Sequence, residues 1–373
     1  MKIPLCKSFL SKQDINVITN SLKTGWLTHG KMNIEFENYF NKIIGSKYAI
    51  SMNSCTSALE CSIKSQEIKG DIIVPSWTWV STINAVLNSG CTPVFADVDI
   101  NSRNITAEHI KKRITKKTKA IIVVHYAGLP CGMDKILNLC KKYNIKLIED
   151  SAETLGAKFK NRYTGTFGVG CFSFFPTKNI TTTEGGMLTT SNKNIYLKTK
   201  KLIAHGILKK NKKFPWKREA ELPGHNFRLP NHLAALGLSQ IKKLKKFNLK
   251  RKKIALKYDS FFNKYPSIFT VQKKMRNFSH SYQMYTVIIE KKLRNRFINF
   301  LRSSGIEASV HFDPPLHRQK YCKKFYKHEL PNTDFLASTI VTMPIYPSLN
   351  KNELNYIFKS IDSWLKKLNG NIF

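Results

Sequence analysis

The stretch AIIVVHYAGLPCGMDKILNLCKKYNIKLIED, residues 120–150, decides the fold. Residues 120–125 are rich in Ile and Val, the composition of a buried strand. Residues 133–142 carry a helical pattern, and residues 145–150 read as a second strand. The same rhythm extends upstream, with strands expected over residues 71–74 and 93–98 and helices over 80–87 and 107–114. Strands alternating with helices predict βαβ units and a mostly parallel sheet covered on both faces, an α/β fold. Nearer the N-terminus, Ser11 to Asp14 resembles a capping box that opens a helix to about Leu22. A further helical pattern follows Thr56 through Ala58, Leu59 and Ile63. Beyond about Lys250 the pattern changes: helical over 252–265, strand-like over 283–289, helical over 293–303 and 352–368. Two domains are expected, a large α/β domain over residues 1–250 and a small α+β domain over residues 251–373.

Composition sets the outer limits. A chain of 373 residues with 42% hydrophobic content can form one large and one smaller globular domain. No run approaches the ~18–20 apolar residues of a membrane span, and residues 1–14 lack the apolar core of a signal peptide. The eight cysteines form no C-x-x-C pair and no His/Cys cluster at zinc spacing, so no metal site is expected. A cytoplasmic protein with reduced thiols is the expectation. The net charge of +38 stands out, with lysine clusters at 111–113, 116–119, 209–213 and 242–253. A non-catalytic nucleic-acid-binding or regulatory role has to be weighed against this charge. The clusters are scattered, lack interleaved aromatics and accompany no nucleic-acid-binding signature, so nucleic acid is not an expected partner. Leu238, Ile241, Leu244 and Phe247 recur at helical spacing, which makes the lysines between them the wet face of one amphipathic helix. Compositional drift toward Lys, Asn and Ile, or attraction of an anionic substrate, are the other readings of the charge.

Ligands of parallel sheets sit beyond the C-terminal ends of the strands, and three polar sets fall there. Ser54, Cys55 and Thr56 precede a helical pattern; they suit a phosphate held by free helix N–H groups, or serve as an ordinary N-cap. Asp150 ends a strand and can keep a proton on a pyridine nitrogen, or merely cap the next loop. Glu149 and Glu153 flank it and can share either task. Lys178 closes the aromatic run Cys171-Phe-Ser-Phe-Phe-Pro-Thr, with Ser173 five residues earlier. A lysine at the mouth of a buried strand is costly to desolvate and suits a neutral, nucleophilic amine, although it can also be one surface lysine among many. A phosphate motif, an acid and a buried lysine, in that order, fit pyridoxal 5′-phosphate (PLP). Glycine patterns for ATP or NAD are missing.

Longer motifs carry a family resemblance: Gly25-Trp-Leu-Thr-His-Gly30, Asn53-Ser-Cys-Thr-Ser-Ala-Leu59, Pro75-Ser-Trp-Thr-Trp-Val-Ser81, Glu149-Asp-Ser-Ala-Glu-Thr-Leu-Gly156, Phe172-Ser-Phe-Phe-Pro-Thr-Lys178, Glu184-Gly-Gly186 and Gly224-His-Asn-Phe-Arg228. Across nearly its whole length the chain resembles the DegT/StrS family of PLP-dependent nucleotide-sugar aminotransferases, which have the aspartate-aminotransferase fold (fold type I). The resemblance implies that Lys178 bonds the cofactor and then shuttles the proton between cofactor and substrate carbons. It implies that Asp150 partners the pyridinium, with Glu153 beside it, and that Trp79 stacks on the ring; a core tryptophan is the alternative for Trp79. Ser54, Cys55, Thr56 and Ser173 match phosphate ligands. Asn226 matches a phosphate ligand given by the other subunit, which implies a homodimer with shared active sites. Arg228 and His311 fall in substrate-side segments, where a structural role is as plausible. Cys55, Thr183 and His225 replace residues more usual in the family, and none removes a catalytic group.

Histidine stands in place of the lysine in a related dehydratase subset, so Lys178 points to amino transfer. Several segments, such as Thr78 to Asn84 and Lys178 to Thr181, are similar to those of enzymes that aminate C4 of UDP-sugars, the 4-amino-4-deoxy-L-arabinose type, and others to the perosamine type. The implied reaction carries an amino group from L-glutamate to a keto-sugar nucleotide, for surface polysaccharide or lipopolysaccharide. A PLP-dependent sugar dehydratase or epimerase, or a non-catalytic basic regulator on the same fold, are the alternatives.

Overall fold

The computed structural model describes residues 1–207, 214 and 216–370, so the lysine cluster 209–213 lies outside the described residues. In chain order the first elements are α1 (Lys12–Lys23), α2 (Lys31–Ile44), β1 (Tyr48–Met52), α3 (Cys55–Ser65), β2 (Asp71–Pro75), α4 (Val80–Asn88), β3 (Thr92–Ala96), α5 (Ala107–Lys111), β4 (Thr118–Val124), α6 (Met133–Tyr143) and β5 (Lys146–Asp150). Then come β6 (Lys158–Phe159), β7 (Arg162–Tyr163), β8 (Val169–Ser173), β9 (Gly186–Thr190), α7 (Lys193–Leu202), α8 (Asn231–Ile241) and α9 (Leu244–Phe262). The last part holds β10 (Phe269–Val271), β11 (Phe278–Ser279), β12 (Tyr285–Ile289), α10 (Lys291–Ser303), α11 (Pro331–Thr339), β13 (Ile340–Met343) and α12 (Lys351–Gly370).

A seven-stranded sheet in the order β1-β9-β8-β5-β4-β2-β3 forms the centre. Its pairings are parallel except for those of β9, which runs antiparallel to both β1 and β8. Period-two alternation fills both faces. Ile72, Val74, Ala120 and Ile122 enter one core, while Ile73, Ile121 and Val123 enter the core on the other side. Helix α6 buries Met133, Ile136 and Cys140 on one stripe and ends at Asn144, which takes the left-handed conformation at φ 50°. A three-stranded antiparallel sheet, β10-β12-β13, backs a separate apolar core with α10 and α12. No described helix is long and apolar enough to cross a membrane.

Helix α9 joins these parts. Leu244 and Phe247 pack with the aromatic cluster of Phe36, Phe40, Phe172 and Phe174, whereas Ile254, Tyr258, Phe261 and Phe262 pack in the C-terminal core. Residue 250, the expected domain limit, therefore lies inside a continuous helix.

The stripe from Leu238 to Phe247 spans two helices, because the chain turns at Lys242–Lys243 between α8 and α9. Lys243 leaves the wet face there and sends its ammonium to Asp14 at 2.6 Å. The helix expected over 107–114 stops at Lys111, where tighter turns take over, with Arg113 N–H donating to Ile110 and Ile114 N–H to Lys111. Helices α2 and α7 and strand β1 had no counterpart in the reading of the sequence.

The capping box at Ser11 and Asp14 is present, and it also anchors the N-terminal helix. Asp14 is fully buried and accepts bonds from Ser11, from Ser239 Oγ at 2.7 Å, from Gln240 Nε2 at 3.0 Å and from Lys243. Burial pushes its carboxyl upward, but the bonds from Lys243, Ser239 and Ser11 outweigh it and hold the group below its ordinary value. The folded chain then gains stability from Asp14 above the ordinary pKa of about 4, and loses it as pH falls through the lower folded value. Asp14→Asn is expected to cost about 2–3 kcal/mol in urea unfolding at neutral pH, and the difference should close in acid.

Candidate active site

The C-terminal ends of the parallel strands converge on one cavity of about 390 Å³. Ser54, Cys55 and Thr56 reach it from the β1–α3 turn, and Trp79 from the β2–α4 turn. Asp150 enters from the end of β5, Ser173 from the end of β8, and Glu153 and Lys178 from the loops that follow. His311 comes from the C-terminal part of the chain. Asn226 and Arg228 do not line this cavity; they lie together nearby in sequence, with Arg228 Nε donating to Asn226 Oδ1 at 3.0 Å.

Strand geometry explains the division between Glu149 and Asp150. Successive side chains point to opposite faces, so only Asp150 faces the cavity. Glu149 is turned into the protein and takes N–H bonds from Gly165 at 2.8 Å, Phe167 at 2.7 Å and Gly168 at 2.8 Å, with His125 Nε2 at 3.1 Å. It holds the loop before β8 and does not share the task of Asp150. Asp150 has only neutral donors, the Thr82 hydroxyl at 2.9 Å and the Ala152 N–H at 3.2 Å. Burial raises its carboxyl above the ordinary range; the bonds from Thr82 and Ala152, and to a lesser degree the Lys178 charge, offset this only in part. Thr82 escaped the sequence reading; its one signal is the spacing of four from Thr78, whose hydroxyl lies 3.1 Å away.

Lys178 does not close a strand, since β8 ends at Ser173 and Lys178 sits in a turn, its N–H donating to Phe175. Its amine is largely buried and 3.6 Å from Glu153 Oε1. The other Glu153 oxygen accepts the Ala127 N–H at 2.7 Å, which fixes the carboxylate. Trp79 is 58% exposed, so it belongs to the cavity mouth; Trp77, at 1%, is the core tryptophan. The Trp79 ring lies 6.0 Å from Phe312, forming an aromatic wall. His311 contacts the Thr342 hydroxyl at 3.2 Å, and burial holds its imidazole below the ordinary range. Gln283 and Thr342 also line the cavity, and nothing in the sequence marked them.

The phosphate end is built by close packing. Ser54 caps α3 by accepting the Ser57 N–H at 3.1 Å, leaving the first-turn amides of Cys55 and Thr56 without helical acceptors. Gly186 opposes Ser173 in the sheet, and a side chain on it would meet the Ser54 carbonyl carbon at 2.4 Å. Only glycine lets β9 lie against this turn. The N-cap and phosphate readings of Ser54 are thus compatible, because the cap orients the same turn. Burial pushes the Cys55 thiol well up, so it stays protonated. Among the described residues no group of three or more His, Cys, Asp or Glu can hold a metal ion.

These residues fit PLP. The buried carboxylate of Asp150 lacks a cation that a pyridinium N–H supplies, the α3 turn with Ser173 suits a phosphate, and Lys178 offers an amine to the aldehyde carbon. A sequence profile of the DegT/DnrJ/EryC1/StrS aminotransferase family matches residues 9–362. The chain belongs to this family. Its cofactor is PLP, and its fold is that of the PLP-dependent aminotransferases. The spore coat polysaccharide biosynthesis protein SpsC of Bacillus subtilis is 33% identical over 98% of this chain and 97% of its own. The structure of Helicobacter pylori PseC, an aminotransferase involved in the biosynthesis of pseudoaminic acid, superposes with a TM-score of 0.91 at 31% identity, covering 97% of this chain and 99% of that one. The PLP form of the Streptococcus pneumoniae sugar aminotransferase Spr1654 gives 0.91 at 26% identity, over 98% and 99% of the two chains.

Asp150→Asn separates catalysis from stability. Folding raises the proton affinity of Asp150, so its contribution to the cofactor-free chain worsens as pH climbs from about 4 through the raised value. The amide variant is expected to lose turnover by about 10²–10⁴-fold. Its cofactor-free form should melt about 2 °C higher than the parent at neutral pH, with no gain near pH 4, read by calorimetry.

Proposed function

We propose that this enzyme carries the amino group of L-glutamate to a keto-sugar nucleotide, a 4-keto UDP, GDP or dTDP sugar, for surface polysaccharide or lipopolysaccharide. The observation that carries the reading is the convergence of Lys178, Asp150 and the Ser54–Thr56 turn with Ser173 on one cavity. The parts that SpsC plays in spore coat polysaccharide biosynthesis and PseC in pseudoaminic acid biosynthesis support the sugar side.

When bound, PLP acts as an electron sink for the carbon that bears the amine. Residues 1–250 hold it, and residues 251–373 complete the cavity through Gln283, His311 and Thr342. Lys178 Nζ takes the proton from the donor Cα and returns one to the sugar carbon in the second half-reaction. Glu153, 3.6 Å away, keeps that amine in place. Asp150 would hold a proton on the ring nitrogen of the bound cofactor. Trp79, at the cavity mouth, would stack on the ring and exclude water. His311, neutral near pH 7, offers one ring nitrogen to a substrate oxygen while the other meets Thr342. Arg228, bonded to Asn226 outside this cavity, would meet the pyrophosphate of a substrate bound in the partner. Asn226 reaches a cofactor phosphate in the partner, so the working unit is a homodimer with shared sites, acting in the cytoplasm.

The visible spectrum of the PLP-loaded protein tests this. The cofactor band should bleach on adding L-glutamate and return with a UDP-4-keto sugar. A band that glutamate leaves unchanged overturns the donor and favours dehydration or epimerisation. Lys178→Ala should reduce turnover to trace level, and near-normal turnover in that variant refutes the assignment. Light scattering should report a dimer, and Asn226→Ala should weaken PLP retention by about tenfold.

A further inference from the structure

A second cavity, of about 1100 Å³, lies between α2, the α8–α9 turn, the β6–β7 hairpin and the segment leading into β12, and shares only Met284 with the lining of the cofactor cavity. Its lining is strongly basic. Lys245 and Lys252 lie on α9 at a spacing that places them with Asn248 and Leu249 along one helical face, and Lys242 comes from the α8–α9 turn. Lys42 from α2, Lys158 from β6, and Lys273 and Lys274 from the segment after β10 complete the walls. These lysines are up to 232 residues apart in the chain, yet they meet in one concavity.

One carboxylate, Asp259, lines the same cavity, and it is already satisfied by Lys274 at 2.9 Å and by the Tyr285 hydroxyl at 2.9 Å. Two further lysines rest over rings, Lys158 over Tyr163 at 4.2 Å and Lys242 over Tyr39 at 5.8 Å. Among the described residues no carboxylate pairs with either ammonium. The floor adds to the imbalance. Thr286 lines the cavity, and its carbonyl takes a bond from Arg103 Nη1 at 3.0 Å. Arg103 is 1% exposed, its Nε has no partner, and no described carboxylate faces it. A buried guanidinium beneath a lysine-lined concavity focuses positive potential into it. A monoanion would neutralise only a small part of this charge.

We propose that this groove is a binding site for a pyrophosphate-bearing anion, separate from the cofactor cavity. Free pyrophosphate and a nucleoside diphosphate share that chemistry. The lysines act as flexible point charges on phosphate oxygens, and the ligand bridges the two parts of the chain that α9 connects.

Calorimetric titration of the PLP-loaded enzyme tests the site, because the cofactor then fills its own phosphate turn. Inorganic pyrophosphate should bind at physiological ionic strength and weaken on raising salt. Lys245→Glu/Lys252→Glu should weaken it by at least about tenfold while the cofactor band and basal turnover stay unchanged. Lys42→Glu/Lys158→Glu tests the opposite walls and serves if the first pair fails to fold. UDP separates the sources. Loss of one of two UDP sites in the variants assigns a nucleoside diphosphate, whereas an unchanged UDP isotherm with lost pyrophosphate binding assigns free pyrophosphate. No binding of pyrophosphate to the parent, or equal binding in parent and both variants, overturns the proposal.

Discussion

Glu149 and Asp150 are neighbours on one strand, and the alternation of side chains sends them to opposite faces. Glu149 is met by three backbone N–H groups and His125, which ties β5 to the loop before β8. Asp150, one residue on, faces the cavity with a hydroxyl and an amide for company. The contrast defines the site. One carboxylate is fully used in holding the loop before β8, and the other is left with charge to spare for a bound cation. Ser173 ends β8, which pairs with β5, Lys178 lies in the turn that follows it, and the α3 turn follows β1, which joins the same sheet through β9.

Much of this was legible in the sequence. Strands with Ile and Val on both faces announce a buried parallel sheet, and β2, β4 and β5 fell where their composition put them. That Asp150, Lys178, Ser173 and Ser54 come together in one cavity was legible because each sets a costly or polar group at or just beyond an apolar run. Thr82 and Gln283 were not, because their roles come from a tertiary neighbour that no local pattern encodes. The turn at Lys242–Lys243 was hidden for a related reason. Its apolar spacing continues unbroken, and only the buried Asp14, some 229 residues away in the chain, reveals why Lys243 turns inward. Glu149 reads in the sequence as an acid that can share the task of Asp150, because position along the chain does not say which face a strand residue takes, and the strand turns it away from the cavity.

The +38 charge divides by environment. Lys178 and Lys243 meet carboxylates at interior positions. Other lysines lie over aromatic rings, as at Tyr163 and Tyr39, where burial of the aliphatic stem offsets part of the cost of ordering a long side chain. Asp and Glu number 24 against 62 Lys and Arg, so the acids are too few to neutralise the surface. Those that exist are often committed to internal structure, as Asp14, Glu149 and Asp259 are.

Helix α9 has a mechanical consequence. Its 19 residues make a rod of about 28 Å, with one end sealed into the aromatic cluster around Phe172 and the other into the C-terminal core. Neither core can loosen without fraying a helix that the other core needs for its own closure. The two parts are therefore coupled in unfolding, and heat should melt them in one step even though each has its own apolar interior.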